Sequence, residues 1–153
     1  MDIKILDTAR TERLGNFLWV LTQNLIFTVD GKIYTVPKGF VFDGNSTPRI
    51  LWRLCPPVAD SYGEAGIIHD WFYSLDSMVP MNRERADVIH RAVGRYRGAG
   101  FIRSRIIYYG LRLFGGGSYK KTYSYDKVQN SNTYKYLDAL KRVSSLSGRT
   151  ELR

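Results

Sequence analysis

The hydrophobic pattern of this chain changes its period once, and that change limits the folds open to it. Up to residue 43, β-branched and aromatic residues form the runs NFLWVLTQNLIFTV, KIYTV and FVFD, which are typical of β-strands. Asp30 and Gly31 separate the first two runs and predict a hairpin turn. After residue 60 the apolar residues recur at helical spacings. We therefore predict an α+β fold: an N-terminal antiparallel β-meander, about three packed α-helices and an extended C-terminal arm.

The first predicted helix contains the sequence GEAGIIHDWFY. Ser61 and Glu64 have the spacing of a capping box, which predicts a helix start near Tyr62. At about 100° per residue, the pattern places Asp70 opposite the centre of the apolar stripe and His69 on its flank, in one sector with Tyr73. This sector could be the wall of a pocket or open surface. The residues expected to face the core are Ile68, Trp71, Phe72 and Leu75.

Two more helices complete the predicted domain. The second begins after Asn82, a favourable N-cap, and is expected to direct four side chains inward: Ala86, Ile89, Val93 and Tyr96. The third spans about residues 102–114 and ends at the triple glycine 115–117. The chain has 153 residues, about the size of one domain, so we assign residues 1–117 to a single α+β domain. Residues 118–153 form the arm, with one candidate helix at about 134–146.

Composition excludes several classes of protein. The single cysteine, Cys55, rules out an internal disulfide and a multi-cysteine zinc site. No stretch approaches the about 20 apolar residues of a membrane span, and the first residues lack the order of a signal peptide. We expect a chain without a membrane span that is made in a host cytoplasm.

The whole chain has a formal net charge of +9, and the positive charge is concentrated in its second half. Residues 88–125 include no acidic residue and many tyrosines, so this stretch could bind DNA phosphates or an acidic protein surface, or form a solvated basic face. Membrane attachment is disfavoured, because no basic helix with a wide apolar face is evident. The candidate binding residues are Arg95, Arg97, Arg103, Arg105, Arg112, Lys120 and Lys121.

Two histidines and three aspartates are the candidates for chemistry. A histidine oriented by a carboxylate on a facing helix is a general-base arrangement, with His69 as the base and Asp87 as its partner. Asp43 and Asp70 are the candidate ligands of a divalent cation, the only cofactor that the sequence suggests. His90 lies three residues after Asp87 and is its neighbour on the second helix. The alternative is a buried polar network in which His69 and Asp87 lock the helices together without catalysis.

The segment HDWFY resembles the His-Asp-x-x-Tyr helix of secreted phospholipases A2. In that family the histidine activates water, the aspartate binds calcium, and a carboxylate on an antiparallel helix orients the histidine. The resemblance implies these roles for His69, Asp70 and Asp87, with Tyr73 as the motif tyrosine. The chain lacks the cysteines and the glycine-rich calcium loop of that family.

Metal phosphohydrolases of the His-Asp type are excluded, because no histidine precedes His69.

Four segments in order, VPKGFVFDGNSTPR, GEAGIIHDWFY, NRERADVIH and IIYYGLRLFGGGSY, resemble a phage and prophage family known as domain of unknown function 1353. The resemblance covers about residues 36–119 and implies a bacteriophage origin. The first hypothesis is therefore a virion structural or accessory protein of tail or capsid that uses the basic surface and the arm for assembly. Its expected partners are other virion proteins, DNA, or further copies of the chain within a particle. The alternative is a small His/Asp-dependent hydrolase acting on lipid or cell wall during entry or lysis.

Overall fold

The computed structural model describes residues 1–15, 18–43 and 63–120, and within them strands precede helices. The α+β prediction is confirmed. Cys55, Ser61, Lys121 and the candidate helix at about 134–146 lie outside the described residues. The strands are β1 (Ile3–Asp7), β2 (Thr11–Gly15), β3 (Leu18–Leu21), β4 (Leu25–Val29), β5 (Lys32–Val36) and β6 (Val41–Phe42). The helices are α1 (Gly63–Tyr73), α2 (Arg83–Tyr96) and α3 (Phe101–Phe114), followed by a 3-10 turn at Gly115–Gly117.

The strands form two small antiparallel sheets instead of one continuous meander. One sheet has the order β1-β4-β5 and the other has the order β2-β3-β6. The predicted hairpin connects β4 to β5, and both turn residues have positive φ, 50° at Asp30 and 79° at Gly31. Glycine tolerates that conformation without strain, and aspartate is among the few other residues that adopt it readily.

The main core lies between the first sheet and the helices. The rings of Phe27 and Tyr34 are stacked with centroids 5.4 Å apart, and the edge of Phe72 on α1 meets both rings. A second, smaller cluster beside the other sheet contains Leu14, Leu18, Val20 and Val41. The aromatic contacts anchor α1 against the sheet, and this fixes the rotation of the helix about its axis.

Helix α1 is buried on nearly every side. The consecutive residues Ile67–Tyr73 are all buried, and Asp70, at 2% exposed, lies on an enclosed side of the helix and not on open surface. The helix packs against α2 on one side and contacts β6 on another. A helix enclosed by several elements has no solvent face, so an apolar stripe could not indicate which polar residues would be exposed.

Helix α2 begins as predicted and departs from the prediction at its end. The Asn82 side chain accepts a hydrogen bond from the backbone N–H of Arg85 at 2.8 Å, which confirms the N-cap. Ala86, Ile89 and Val93 are buried, but Tyr96 is 50% exposed. Tyr96 is the last residue of the helix, where the inward stripe has run past the packed region.

Helix α3 packs one side on α2 and leaves a broad apolar side exposed. Ser104, Ile107, Gly110 and Leu111 are buried. Ile102, Ile106, Tyr109 and Leu113 are exposed and form an apolar surface on α3 that the sequence pattern did not indicate. Among the helices of the described ranges, none has the length and apolar character required to cross a membrane.

Candidate functional site

The carboxylate of Asp87 on α2 is the centre of a buried polar cluster. Its Oδ1 lies 2.8 Å from Nε2 of His69 and accepts a hydrogen bond from the Tyr73 hydroxyl at 2.5 Å. Its Oδ2 accepts a hydrogen bond from the Arg112 guanidinium at 3.0 Å. The side chains of both His69 and Asp87 are fully buried. Three donors therefore converge on one enclosed carboxylate, which we call the Asp87 cluster.

Helical geometry brings these groups together. His69 and Tyr73 are four residues apart on α1, which places them on one side of the helix, one turn from each other. That side faces α2, where Asp87 occupies a fully buried position. The rings of His69 and Tyr73 are 4.0 Å apart between centroids, so each restricts the rotamer of the other. The predicted pairing of His69 with Asp87 is observed.

The contacts around Asp87 favour its ionised form. Burial raises the pKa of this carboxyl, but hydrogen bonds from His69, Tyr73 and Arg112 outweigh burial and hold the pKa below its usual value. Burial, together with the neighbouring Asp87 charge, raises the pKa of the Tyr73 hydroxyl. Tyr73 therefore remains a protonated donor, and Asp87 acts only as an acceptor.

The second ring nitrogen of His69 faces Asp70. Within the described part of the chain, Nδ1 of His69 makes no hydrogen bond, and Oδ1 of Asp70 lies 4.0 Å away. Burial lowers the pKa of His69, but the carboxylates of Asp70 and Asp87 outweigh it and raise the pKa above its usual value. In the neutral ring, the ionised Asp87 selects the tautomer with the proton on Nε2. That tautomer leaves a lone pair on Nδ1.

The neighbouring histidine, His90, packs against the ring of His69. Its ring meets the ring of His69 edge-on, with 5.1 Å between centroids, and its side chain is buried. Burial and the positive charge of His69 lower the pKa of His90 to about 3. His90 is therefore neutral at physiological pH and does not compete with His69 for a proton.

Arg83, which was not among the predicted site residues, holds the Tyr73 side of the cluster. Its Nε donates to the Tyr73 hydroxyl at 3.3 Å, and its guanidinium also donates to the carbonyls of Leu111 and Arg112 at 2.8 and 2.5 Å. A Cβ at Gly115 would lie 3.2 Å from the Tyr73 hydroxyl oxygen, so glycine permits this close approach. Arg83 stands first in α2, and its spacing from Asp87 was the only available signal.

Several of the predicted basic binding residues have contacts within the chain. Arg112 donates to Asp87, and Arg97 forms an ion pair with Glu64. Lys120 donates from Nζ to the carbonyls of Ser74 and Ser77 at 2.9 and 2.8 Å. Arg95 donates from Nη1 to the carbonyl of Ala99 at 2.8 Å, Arg105 has an exposed side chain, and Arg103 is half-buried. The sequence could not distinguish basic side chains with partners inside the chain from exposed ones, because charge alone does not indicate what a side chain contacts.

The predicted cation ligands are only partly placed together. Asp70 lies beside His69, and Asp43 directly follows β6, which contacts α1. In residues 1–15, 18–43 and 63–120, no group of three or more His, Cys, Asp or Glu side chains is positioned to share a metal ion. The donor set therefore does not fit a metal centre within these ranges, and the cation site remains a prediction.

Comparison with known proteins identifies the family. Residues 19–111 match the family described as Protein of unknown function (DUF1353), which is more than half of the chain. No curated protein and no solved structure gives a significant match. The Asp87 cluster lies within the matched segment, and the chain belongs to the DUF1353 family.

Proposed function

We propose that this protein is a hydrolase of lipid esters in which His69 acts as a general base. The observation that supports this best is the asymmetry of the His69 ring. Nε2 lies against Asp87, which Tyr73 also holds, whereas Nδ1 has no hydrogen-bond partner among the described residues. General-base catalysis requires an imidazole that is held by one ring nitrogen and has a lone pair on the other nitrogen that no hydrogen bond occupies.

The proposed reaction uses the neutral His69 ring. Nδ1 takes a proton from water while the water oxygen forms a bond to the ester carbonyl carbon. The resulting imidazolium keeps its Nε2–H bonded to the Asp87 carboxylate, which stabilises the positive charge. The tetrahedral intermediate then expels the alcohol oxygen, which receives the proton from Nδ1. The products are a carboxylic acid and an alcohol, and the histidine returns to its neutral form.

The lipid assignment follows from the local resemblance to secreted phospholipases A2. That resemblance implied that a carboxylate on a facing helix orients the histidine, and the hydrogen bond between His69 and Asp87 supports this role. Tyr73, the motif tyrosine, donates to the same carboxylate oxygen. Asp70 lies on the Nδ1 side of the ring, where it can orient the attacking water. No step is assigned to a metal ion, because the described donors do not form a metal centre.

Burial sets a condition on this function. His69 is 0% exposed, so water and substrate reach Nδ1 only when the surrounding packing opens. The raised pKa of His69 sets another condition, because the protonated imidazole ring cannot accept a proton from water. Activity should therefore increase with pH until His69 is neutral.

The virion hypothesis remains a prediction. It depends on the arm formed by residues 118–153, and only the first three residues of that arm are described. Tyr119 and Lys120 contact the domain, through hydrogen bonds to Met81 and to Tyr73, Ser74 and Ser77. These contacts favour no particular virion partner, so the geometry supports the hydrolase better.

The experiment is fatty-acid release from vesicles of phosphatidylglycerol by the full chain and by His69→Gln. The amide nitrogen of glutamine can keep a hydrogen bond to Asp87, but glutamine has no basic nitrogen. We expect release by the unchanged protein and a loss of about 100-fold or more in the variant, together with cooperative unfolding of both proteins. Equal rates, or no release by the unchanged protein, would refute the proposal. A variant that loses only stability would show that the cluster is a structural network.

A further inference from the structure

A cationic pocket of about 610 Å³ lies between α2, α3 and the start of β1. Three arginines line it, and none of them belongs to the Asp87 cluster. The pocket wall also contains apolar side chains, so its character is mixed. Its lining includes Arg91, Arg95, Arg105, Phe101, Val88 and Asp2.

The three pocket arginines are available to an anion. Arg85, Arg97 and Arg112 form ion pairs with carboxylates, whereas within residues 1–15, 18–43 and 63–120 no ion pair is seen for Arg91, Arg95 or Arg105. Arg105 and Arg91 instead lie over aromatic rings, 4.4 Å from the ring centroid of Phe101 and 4.8 Å from that of Tyr108. Such stacking orients a guanidinium while leaving its N–H edge open to phosphate oxygens. Arg95 uses one guanidinium nitrogen, Nη1, to donate to the carbonyl of Ala99 at 2.8 Å. Asp2 is the single carboxylate of the lining, so the pocket is cationic.

An exposed apolar stripe runs along α3 next to this pocket. Ile102, Ile106, Tyr109 and Leu113 are spaced four, three and four residues apart, which places them on one side of the helix. Ile102 is 73% exposed and Leu113 is 76% exposed. Phe101 and Arg105 line the pocket and are also exposed on α3, so the two features are continuous.

We propose that the pocket and the α3 stripe together dock the protein on an anionic phospholipid surface. The pocket arginines bind the phosphate of the headgroups, and the stripe enters the interfacial layer of the bilayer. An apolar helix side bordered by arginines is the arrangement of helices that lie in a membrane interface. The biological use of this surface rests on the proposed function, because a lipid hydrolase must reach a bilayer. The binding itself does not require His69.

Charge and surface chemistry favour lipid over other occupants. A second copy of the chain would bring arginines against arginines, because residues 88–125 contain no acidic side chain. DNA would satisfy the arginines but would leave the aliphatic stripe exposed to water, since phosphate backbones offer it no apolar partner. An anionic bilayer satisfies both the charges and the stripe.

Co-sedimentation of the full chain with vesicles tests the proposal. We expect the protein to bind vesicles of phosphatidylglycerol mixed with phosphatidylcholine, and to bind pure phosphatidylcholine at least about 10-fold more weakly. Two variants should each reduce binding to the anionic vesicles by about 10-fold or more: Ile102→Glu/Leu113→Glu and Arg91→Gln/Arg105→Gln. Ile33→Glu is the matched control, because Ile33 is 63% exposed on β5 and should not contact the bilayer.

The His69→Gln variant separates this proposal from the hydrolase proposal. The variant should bind vesicles as the unchanged protein does, even though its release of fatty acid should be about 100-fold or more slower. Equal binding to both vesicle types, or binding unaffected by both double variants, would overturn the docking proposal. A dimer in solution that Ile102→Glu/Leu113→Glu dissociates would assign the stripe to a second copy instead. Duplex DNA binding that only Arg91→Gln/Arg105→Gln weakens would assign the pocket to nucleic acid.

Discussion

The interior between α1 and α2 and the outer side of α3 have opposite and unexpected compositions. The interior contains the fully buried His69 and Asp87, whereas the outer side of α3 exposes Ile102 and Leu113. Most domains bury apolar side chains and expose charged ones. A buried ion pair is weak evidence for stability, and a contiguous exposed apolar patch commonly marks a binding site. The stability of the fold does not require either composition, and this contrast is the basis of the two proposals.

Arg112 connects the two regions. It is on α3, its side chain is about one third exposed, and its guanidinium donates to Asp87 at 3.0 Å. Arg83 strengthens the link by donating to two carbonyls at the end of α3. A displacement of α3 would therefore change the hydrogen bonds that hold the carboxylate and, through it, the ring of His69.

The largest effect is expected for Asp87→Asn. This change removes the negative charge that His69, Tyr73 and Arg112 share, and it replaces one acceptor oxygen with an NH2 group that cannot accept a hydrogen bond. The free energy of unfolding should fall by about 3–5 kcal/mol, as measured by chemical denaturation. Glu84→Gln on the exposed side of the same helix is the control and should change it by less than about 0.5 kcal/mol. Similar values for the two variants would contradict a central role for Asp87.

A smaller effect is expected for Tyr73→Phe. The variant retains the ring but loses the donor to Asp87, so the free energy of unfolding should fall by about 1–3 kcal/mol. Tyr109→Phe, on the exposed side of α3, should have almost no effect on the same measurement. If both variants unfold at the same denaturant concentration as the unchanged protein, the Tyr73 hydrogen bond does not contribute to stability.

The stability of the interior should depend on pH in both directions. The raised pKa of His69 gives a contribution that is complete below pH 6.5 and is lost as the pH rises through the folded-state pKa. The pKa of His90, lowered to about 3, gives a contribution present above pH 6.5 and lost as the pH falls toward 3. Thermal unfolding over a pH series should therefore show highest stability near pH 6.5. His69→Gln should remove the decline on the alkaline side, and a decline of unchanged size would count against this assignment.

The outer side of α3 should tolerate charge with little cost in stability. Ile102→Glu/Leu113→Glu replaces two side chains that are largely exposed, so the free energy of unfolding should change by about 0.5 kcal/mol or less. Denaturation of the same protein used for vesicle binding provides the measurement. A loss of more than about 2 kcal/mol would show that this side of α3 is packed against the rest of the chain, which would remove the contrast between the two regions.

The sequence predicted the order of elements and the main pair of the site, and it failed where packing decides. The hairpin at Asp30 and the N-cap at Asn82 depend on local chemistry and are confirmed. The pairing of β1 with β4 joins residues that are 19 to 26 positions apart in the sequence, and no local pattern specifies it. The burial of Asp70 also depends on which elements surround α1, so the helical pattern left open whether its sector is a pocket wall or open surface.

The partners of the arginines were the least predictable feature. Arg112 was assigned to an external surface, yet it forms an ion pair with Asp87 across 25 residues of sequence. Arg91 was not among the predicted binding residues, yet it lines the cationic pocket. Long side chains reach several possible neighbours, so their contacts follow from the tertiary structure and not from the charge pattern.

Nitrogen-15 NMR of the full chain labelled at histidine tests the central claim most directly, because the sequence has only 2 histidines. The claim is that His69 is fixed through Nε2 and presents an open Nδ1. The account predicts that His69 titrates above pH 6.5, that its neutral form has the proton on Nε2, and that His90 stays neutral until about pH 3. A neutral His69 with its proton on Nδ1, or a titration of His69 below pH 6.5, would contradict the account.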